Sequence, residues 1–323
     1  MYRYIINRVL LVFPTLLGAA TLVFVLMRLI PGDICLVRLG SGGESFTTAA
    51  LASCHAEIGI DRPWIVQYLS YIWGLARFDF GISMWSGKPV VTEIATRFPI
   101  SLEVAVMATV IAVAIAIPLG TISALKQNSW IDLLVRTFSI AGLATPAFWL
   151  GIVSILLVLD ITQAISGVPW MPPIDYVPLW RDPIRNLSIV MLPAITIGYR
   201  YCAVSMRMTR SAMLEVLRED YIRTARAKGL INRLIINRHA LKNALLPVVT
   251  VIGIEFAFLI GGLVVTEQVF NLNGIGRLMV LSVQNQDYTL TQALVMLVVT
   301  IAVVSTLVVD LLYAWLDPRI RLA

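Results

Sequence analysis

Two ionisable side chains stand inside long apolar runs of the sequence, where an ion is costly. Arg200 lies in the run 187–206 and Glu255 in the run 244–265. A guanidinium can hold a carboxylate through two hydrogen bonds, and a carboxylate can attract an amine. Two interpretations follow. The residues line a path for a polar solute, or they hold helices together by pairing with each other or with a partner chain.

Residues suited to a catalytic or cofactor-binding role are missing from these runs. The runs hold no Ser/Lys, paired-Asp or His-rich constellation, which argues against an intramembrane enzyme. The chain has no G-x-x-x-x-G-K-[ST] motif to cradle ATP phosphates. Its three cysteines, Cys35, Cys54 and Cys202, are not spaced as zinc ligands. We therefore expect no catalytic residue, metal or cofactor on this chain.

The elements that must position Arg200 and Glu255 are membrane-spanning helices. The chain has 323 residues, 59% of them apolar and 14% charged, whereas soluble domains carry about 25% charged residues. About 20 apolar residues in a helix cross the hydrocarbon layer. The predicted spans are 9–29, 102–124, 138–160, 187–206, 244–265 and 290–316. The sequence thus predicts one all-α integral membrane domain, residues 1–323, with six transmembrane helices.

Prolines and glycines inside the runs bear on how the helices could move. Pro118, Pro146 and Pro193 should kink or break the helices that contain them. Gly261 and Gly262 lie near the end of the run that holds Glu255. Kinked helices beside these glycines would suit a gate on the translocation path, although most prolines in spans are fixed bends.

Lysine and arginine define the orientation. The N-terminus, the C-terminus and the stretch 207–242 fall on one side of a six-span chain, and the segments of that side carry 15 of these residues. The short segments of the other side carry three. Basic residues collect in cytoplasmic loops, so both termini and 207–242 are predicted to be cytoplasmic. The basic residues therefore follow membrane topology, and no nucleic-acid-binding motif accompanies them.

The long segment 31–100 is predicted to be extracytoplasmic. It is rich in aromatic residues, which favours short helices at the membrane interface, and a small packed cap is the alternative. Cys35 and Cys54 both lie on this side, where disulfides persist. A bridge between them would close a loop of about 20 residues, worth ~3 kcal/mol on the chain-entropy estimate. Unbridged thiols remain the alternative.

The stretch 207–242 holds nine of the chain's 25 Lys and Arg residues. Glu219 and Asp220 are placed to begin a short helix, cationic side chains lie toward its end, and Gly229 ends it. Ala225 and Ala227 are expected to give one side of this helix small side chains only. A second helix is expected over 231–241. Such a helix could enter a cleft on another protein. The alternative is a basic loop that binds anionic lipid.

The same stretch resembles a known family. DYIRTARAKG followed by RHALKNALLPVVTVIG is similar to the coupling-helix region, or EAA loop, of ABC importer permeases of the dipeptide/oligopeptide branch. Arg223 stands where the general family has Glu, and Asn273 where the branch usually has Pro. Further similar segments are RLIPGD (28–33), GIDRPWIVQYLSYIWG (59–74), FDFGIS (78–83), RFPISLE (97–103), MTRSAMLEVL (208–217), TEQVFNLNGIGRL (266–278) and DLLYAWLDPRIR (310–321).

The resemblance implies a pore subunit of a bacterial inner membrane importer, most similar to those for di- or oligopeptides. It implies four kinds of partner: a second homologous permease, two cytoplasmic ATP-binding subunits that hold ATP and Mg²⁺, an extracytoplasmic solute-binding protein, and membrane lipid. The ATPase-coupling residues it implies are Glu219, Asp220, Tyr221, Arg223, Thr224, Ala225, Ala227 and Gly229. The alternative function is a secondary transporter driven by an ion gradient, with Glu255 as proton carrier.

Overall fold

The computed structural model describes residues 2–29, 35–36, 47–173 and 175–316. Within these ranges the chain is helical, and its only β-bridge is an isolated one between Ile82 and Pro89. In chain order the helices are α1 Tyr2–Leu29, α2 Thr48–Ile58, α3 Trp64–Ala76, α4 Val90–Leu125, α5 Trp130–Ala144, α6 Ala147–Ser166, α7 Pro183–Val216, α8 Asp220–Ala227, α9 Asn232–Gly262, α10 Val264–Val269, α11 Ile275–Gln284 and α12 Tyr288–Leu316.

Six helical segments are long and apolar enough to cross a membrane. They are Ile5–Leu29, Val90–Leu125, Ala147–Ser166, Pro183–Val216, Asn232–Gly262 and Tyr288–Leu312. This confirms the predicted all-α membrane fold with six transmembrane helices. Parts of the predicted extracytoplasmic segment 31–100, and the chain after Leu316, lie outside the described residues.

The third predicted span, 138–160, is wrong as a single helix. The chain leaves the helix at Thr145, which adopts an extended conformation, and α6 begins after Pro146. The proline ring crowds the preceding residue and removes a backbone N–H, so a helix boundary forms here. The spanning helix of this region is therefore α6, Ala147–Ser166. Pro118 and Pro193, in contrast, lie inside the continuous helices α4 and α7.

The two longest spanning helices are much longer than a bilayer requires. At 1.5 Å per residue, the 36 residues of α4 and the 34 of α7 extend ~50 Å, against ~30 Å for the hydrocarbon layer. Hydropathy marks only the part of a helix that lies in hydrocarbon. For this reason α4 begins before the predicted residue 102, and α7 continues past residue 206 into the stretch expected to be a loop.

Helices α4 and α7 pack along a face of small side chains, here called the small-residue face. Its members on α4 recur every three or four residues: Ala105, Ala108, Ala112, Ala116, Gly120 and Ala124. A Cβ on Gly120 would lie 2.7 Å from the carbonyl oxygen of Met206, and one on Gly198 would lie 2.9 Å from that of Ala108. These two approaches occur in the same chain order, so α4 and α7 run parallel. Small residues let the backbones approach this closely in a membrane.

Helix α3 has the two-sided character of an interfacial helix. One side packs on α1, where the Tyr68 hydroxyl lies 2.8 Å from that of Thr21 and the Tyr68 ring meets Phe24 edge-on. On the other side Ile65, Leu69 and Trp73 are exposed. An apolar strip beside a spanning helix suits the boundary between headgroups and acyl chains.

A buried carboxylate organises the connection between α9 and α12. Glu267, 1% exposed, accepts hydrogen bonds from the Ser101 hydroxyl (2.6 Å) and the Arg277 backbone N–H (2.8 Å). Burial raises the pKa of Glu267. Gly274 is the N-cap residue of α11, and its φ of −102° does not require glycine. Glycine is required for space, because a Cβ there would lie 2.2 Å from the Glu267 carboxylate.

The small-residue face predicts that one methyl group is enough to separate α4 from α7. We expect Gly120→Ala to destabilise the protein by about 1–3 kcal/mol, because the added Cβ overlaps Met206 and Thr209. Gly18→Ala is the matched control, since a Cβ there meets nothing within 4 Å and alanine favours a helix. The measurement is the thermal unfolding midpoint in detergent. Equal midpoints for the two variants would contradict the close packing.

Candidate functional site: a coupling helix and intramembrane polar residues

The short helix α8 is set by signals at both ends. Glu219 is the extended N-cap residue and Asp220 lies in the first turn, where the helix dipole favours negative charge. At the other end Gly229 has φ 75°, a left-handed conformation that glycine adopts without strain. The Gly229 N–H donates to the Arg226 carbonyl and the Leu230 N–H to that of Ala225. These bonds end the helix and turn the chain away.

One side of α8 is buried and the rest is exposed. Ile222 and Ala225 pack into a cluster that includes Met213 of α7 and Ile235 of α9. The exposed candidate residues are Glu219, Asp220, Tyr221, Arg223, Thr224, Ala227 and Gly229. The expectation that Ala225 and Ala227 form one side of small side chains is therefore wrong. Residues two apart lie on opposite sides of a helix, so Ala225 fits α8 to its own chain and Ala227 is left on the surface.

The second helix expected over 231–241 is not separate. Helix α9 begins at Asn232, passes through a π-helical segment at Ile235–Ala240 and continues as the fifth span to Gly262. The Tyr221 hydroxyl of α8 accepts a hydrogen bond from the side-chain amide of Asn243 (2.8 Å). Thus α8 follows directly on one spanning helix, α7, and is bonded to another, α9.

A buried ion pair joins three helices near α8, and we call it the Asp132 network. Asp132 of α5 is 0% exposed, and Arg210 of α7 holds both its oxygens, at 2.8 and 2.9 Å. The Ser123 hydroxyl of α4 (2.5 Å) and the Asn128 backbone N–H (3.0 Å) also donate to it. The Arg210 guanidinium holds the pKa of Asp132 well below its usual range. The network fixes the ends of α4 and α7 against α5.

Sequence reasoning missed this network. One local signal was present, since Ser129 begins α5 and the N–H of Asp132 donates to its hydroxyl, a helix start that the pattern S-x-x-D marks. The partner of Asp132 carried no such signal, because Arg210 lies 78 positions away and looked like one more member of the basic stretch.

Arg200 and Glu255 are neighbours that do not form an ion pair with each other. Glu255 of α9 is half-buried, and its Oε2 accepts a hydrogen bond from the Ser205 hydroxyl of α7 (3.0 Å). Arg200 of α7 is exposed. Among the described residues no nitrogen of Arg200 lies within 4.0 Å of the Glu255 carboxylate. A direct ion pair with Glu255 therefore does not fix the position of Arg200.

Gly261 and Gly262 lie apart from these two residues, at the end of α9. A Cβ on Gly261 would come within 3.3 Å of Val298 of α12, whereas one on Gly262 would meet nothing within 4 Å. The structure thus does not bring the two glycines to Arg200. They mark the place where α9 gives way to α10.

At the end of the molecule opposite α8, Cys35 and Cys54 are joined by a disulfide. Its sulfurs pack with Leu51 and Tyr288 at the base of α12. Nearby, a cavity of about 1020 Å³ lies between α1, α3 and α12. Its wall includes Arg28, whose Nε donates to the Gln67 side-chain oxygen at 3.0 Å.

The sequence matches known families of membrane transport components along most of its length. Residues 116–322 match the family described as binding-protein-dependent transport system inner membrane component, and residues 1–105 match the N-terminal family of the same membrane components. The chain is 40% identical over 340 residues to the dipeptide transport system permease protein DppB of Escherichia coli (strain K12), covering 99% of both chains.

Two further relatives agree along their whole length. A putative peptide transport system permease protein of Brucella abortus (strain 2308) is 37% identical over 321 residues, and the glutathione transport system permease protein GsiC of Salmonella paratyphi A (strain ATCC 9150 / SARB42) is 40% identical over 321 residues. Each match covers 99% of both chains. The resemblance inferred from the coupling-helix motif is confirmed. The chain belongs to the family of inner membrane components of binding-protein-dependent transport systems.

Proposed function

We propose that this permease subunit imports di- or oligopeptides and is driven through α8, which binds a cytoplasmic ATPase by residues 219–229. The observation that carries the proposal is the placement of α8. It exposes seven of its eight candidate residues and is fixed by Ile222 and Ala225 to the ends of two spanning helices. The named relatives, permeases for dipeptides, peptides and glutathione, support a peptide as solute.

The proposed orientation places α8 and both termini in the cytoplasm of a bacterial cell. It rests on the excess of Lys and Arg in the segments on that side. The exposed cations of α8, which include Arg223 and Arg226, then lie in water beside the membrane. Their charges can also attract anionic lipid, but lipid attraction does not explain the defined helix and its glycine end.

The proposed assembly follows from what this chain lacks. Without a phosphate-binding motif in its sequence, it needs two ATP-binding subunits that carry ATP and Mg²⁺. A second, homologous permease completes the path, and an extracytoplasmic binding protein delivers the solute. Membrane lipid covers exposed apolar side chains such as Phe13 of α1 and Leu156 of α6.

We assign Arg200 and Glu255 to the translocation path. A cation at the centre of a span costs ~2.5–3.5 kcal/mol in hydrocarbon on insertion scales, so the exposed Arg200 must meet water or an anion. Glu255 lies on the next helix and is held by Ser205. Gly261 and Gly262, at the end of α9, are the positions at which that helix can turn as the path opens.

The mechanism is alternating access. Closure of the ATPases presses on α8, and α7 and α9 transmit the movement as rigid bodies because α8 packs against both and is hydrogen-bonded to α9. The Asp132 network extends the movement to α4 and α5. The spans tilt and open the path toward the binding protein, and ATP hydrolysis returns them.

The first test is reconstitution of the chain with its presumed partner subunits in proteoliposomes. We expect ATP hydrolysis that rises when the solute-loaded binding protein is added, together with uptake of the solute. The control omits this chain. Uptake by this chain alone on a pH gradient would instead identify a secondary transporter with Glu255 as proton carrier.

The second test addresses the glycine that ends α8. Gly229→Val should abolish transport while membrane insertion is retained, because a β-branched residue at φ 75° costs ~1–2 kcal/mol and displaces the turn. Gly167→Val is matched, since Gly167 has φ 73° and equally open surroundings at the end of α6. Transport and ATPase coupling are measured for both. Normal transport by the Gly229 variant would rule out a binding turn there.

The third test addresses the Asp132 network. Arg210→Met removes the guanidinium that contacts both oxygens of the buried Asp132 carboxylate and leaves Arg136, at 3.8 Å, as its nearest cation. We expect a loss of about 3 kcal/mol in stability, read as a lower unfolding midpoint in detergent. The double variant Arg210→Met with Asp132→Leu removes both charges and should recover most of that loss. If the single variant melts like the wild-type protein, the ion pair does not hold α5 to α7.

A further inference from the structure

Helix α7 presents two arginines, Arg200 and Arg207, on one exposed face. They are seven residues apart, a spacing that returns to within about 20° of the same direction on an α-helix, and Arg218 follows just beyond the end of α7. All three are exposed, and so is Ser211 between them. We call this surface the Arg200–Arg218 face. It runs from the middle of the span to the residue that precedes the N-cap of α8.

The fourth arginine between positions 200 and 218 lies on a different side of α7 and is paired. Arg210 points about 80° away from this face and is bound by Asp132 within the buried network. In the part of the chain that the structure describes, Arg200, Arg207 and Arg218 have no hydrogen bond or ion pair through their side chains. The guanidinium groups of these arginines are therefore free of direct contact with a carboxylate of the described chain, although Glu255 lies near Arg200.

Charges near this face change along its length. The acidic group beside Arg200 is Glu255, whose carboxylate accepts a hydrogen bond from the Ser205 hydroxyl. At the α8 end, Ser211 and Arg218 line a surface cavity of about 480 Å³ together with three carboxylates, those of Glu215, Glu219 and Asp220. The middle of the face is therefore cationic, and its cytoplasmic end is predominantly acidic.

We infer that Arg200 and Arg207 form a binding site for the carboxylate of the transported solute. The inference rests on the proposed function and names the group by which this subunit holds its cargo. The two residues lie ~10 Å apart along the helix, so a carboxylate can pass from one guanidinium to the other in a single short step. Guanidinium holds carboxylate in a bidentate manner. The carboxylates at the cytoplasmic end then repel the solute's carboxylate and favour release.

The test uses a reporter between the two arginines. Val204 lies on the same face, and we place a cysteine there (Val204→Cys) in a Cys202→Ala background. The detergent-solubilised complex is labelled with a sulfonate-bearing or a trimethylammonium-bearing methanethiosulfonate. We expect the anionic reagent to react faster, by roughly tenfold relative to its rate ratio on a free thiol, because two cations raise its local concentration. Arg200→Gln with Arg207→Gln should abolish this preference.

Ile195→Cys is the matched control. Ile195 is 47% exposed on the same helix but lies about 180° from Val204, so it should resist both reagents. A dipeptide with a free carboxylate, added directly without the binding protein, should slow labelling of the cysteine at position 204 several-fold. The same dipeptide with an amidated C-terminus should not.

Three results would overturn the inference. They are no labelling of the cysteine at position 204 in any nucleotide state, no preference for the anionic reagent, and equal protection by the free and amidated dipeptides. Stimulation of ATP hydrolysis by the loaded binding protein, measured on the same preparation, tests the proposed function separately. A complex that hydrolyses ATP normally but shows no anion preference would refute the carboxylate site and leave the importer intact.

Discussion

The close approach of α4 and α7 along the small-residue face is the contact on which the other helices depend. Lipid tails are as apolar as the side chains they meet, so spanning helices gain little from hydrophobic burial and associate through tight packing. Here a glycine on each helix, Gly120 and Gly198, brings backbone against backbone. Helices α5, α6 and α9 then pack on α7, and α9 also packs on α4 and α12.

This pair of helices also connects α8 mechanically to the membrane-spanning part of the molecule. Because α4 and α7 extend beyond the hydrocarbon layer, their ends stand together in the region of α8. The Asp132 network ties these ends to α5, and the Ile222–Ala225 side of α8 fills the space between α7 and α9. A displacement of α8 by a partner is then shared by several helices rather than absorbed in a loop.

The sequence predicted the features that depend on local signals. Apolar runs revealed six spans, and Gly229 together with Glu219 revealed α8, because a helix end needs a left-handed residue and its start favours negative charge. Hydropathy could not show that α4 and α7 extend past the hydrocarbon layer. It also could not separate α5 from α6, where a single proline divides one apolar run.

Other features depend on which helices are in contact, and contacts between helices cannot be deduced from a single sequence. Asp132 and Arg210 are far apart in the sequence, and only the contact between α5 and α7 makes them an ion pair. The burial of Ala225, apart from Ala227, is also not visible in the sequence, because Ala225 is covered by Met213 of α7 and Ile235 of α9. The need for glycine at position 274 likewise becomes visible only with the fold, because it makes room for the Glu267 side chain.

The parallel course of α4 and α7 has an electrostatic consequence. Two aligned helix macrodipoles place two partial negative charges at the same end of the molecule, where Leu125 and Val216 end these helices. Lys126 follows the first of these ends, and Arg218 follows the second. The basic residues there thus compensate the backbone's own field. A chain with the same charges but antiparallel helices would lack this stabilisation.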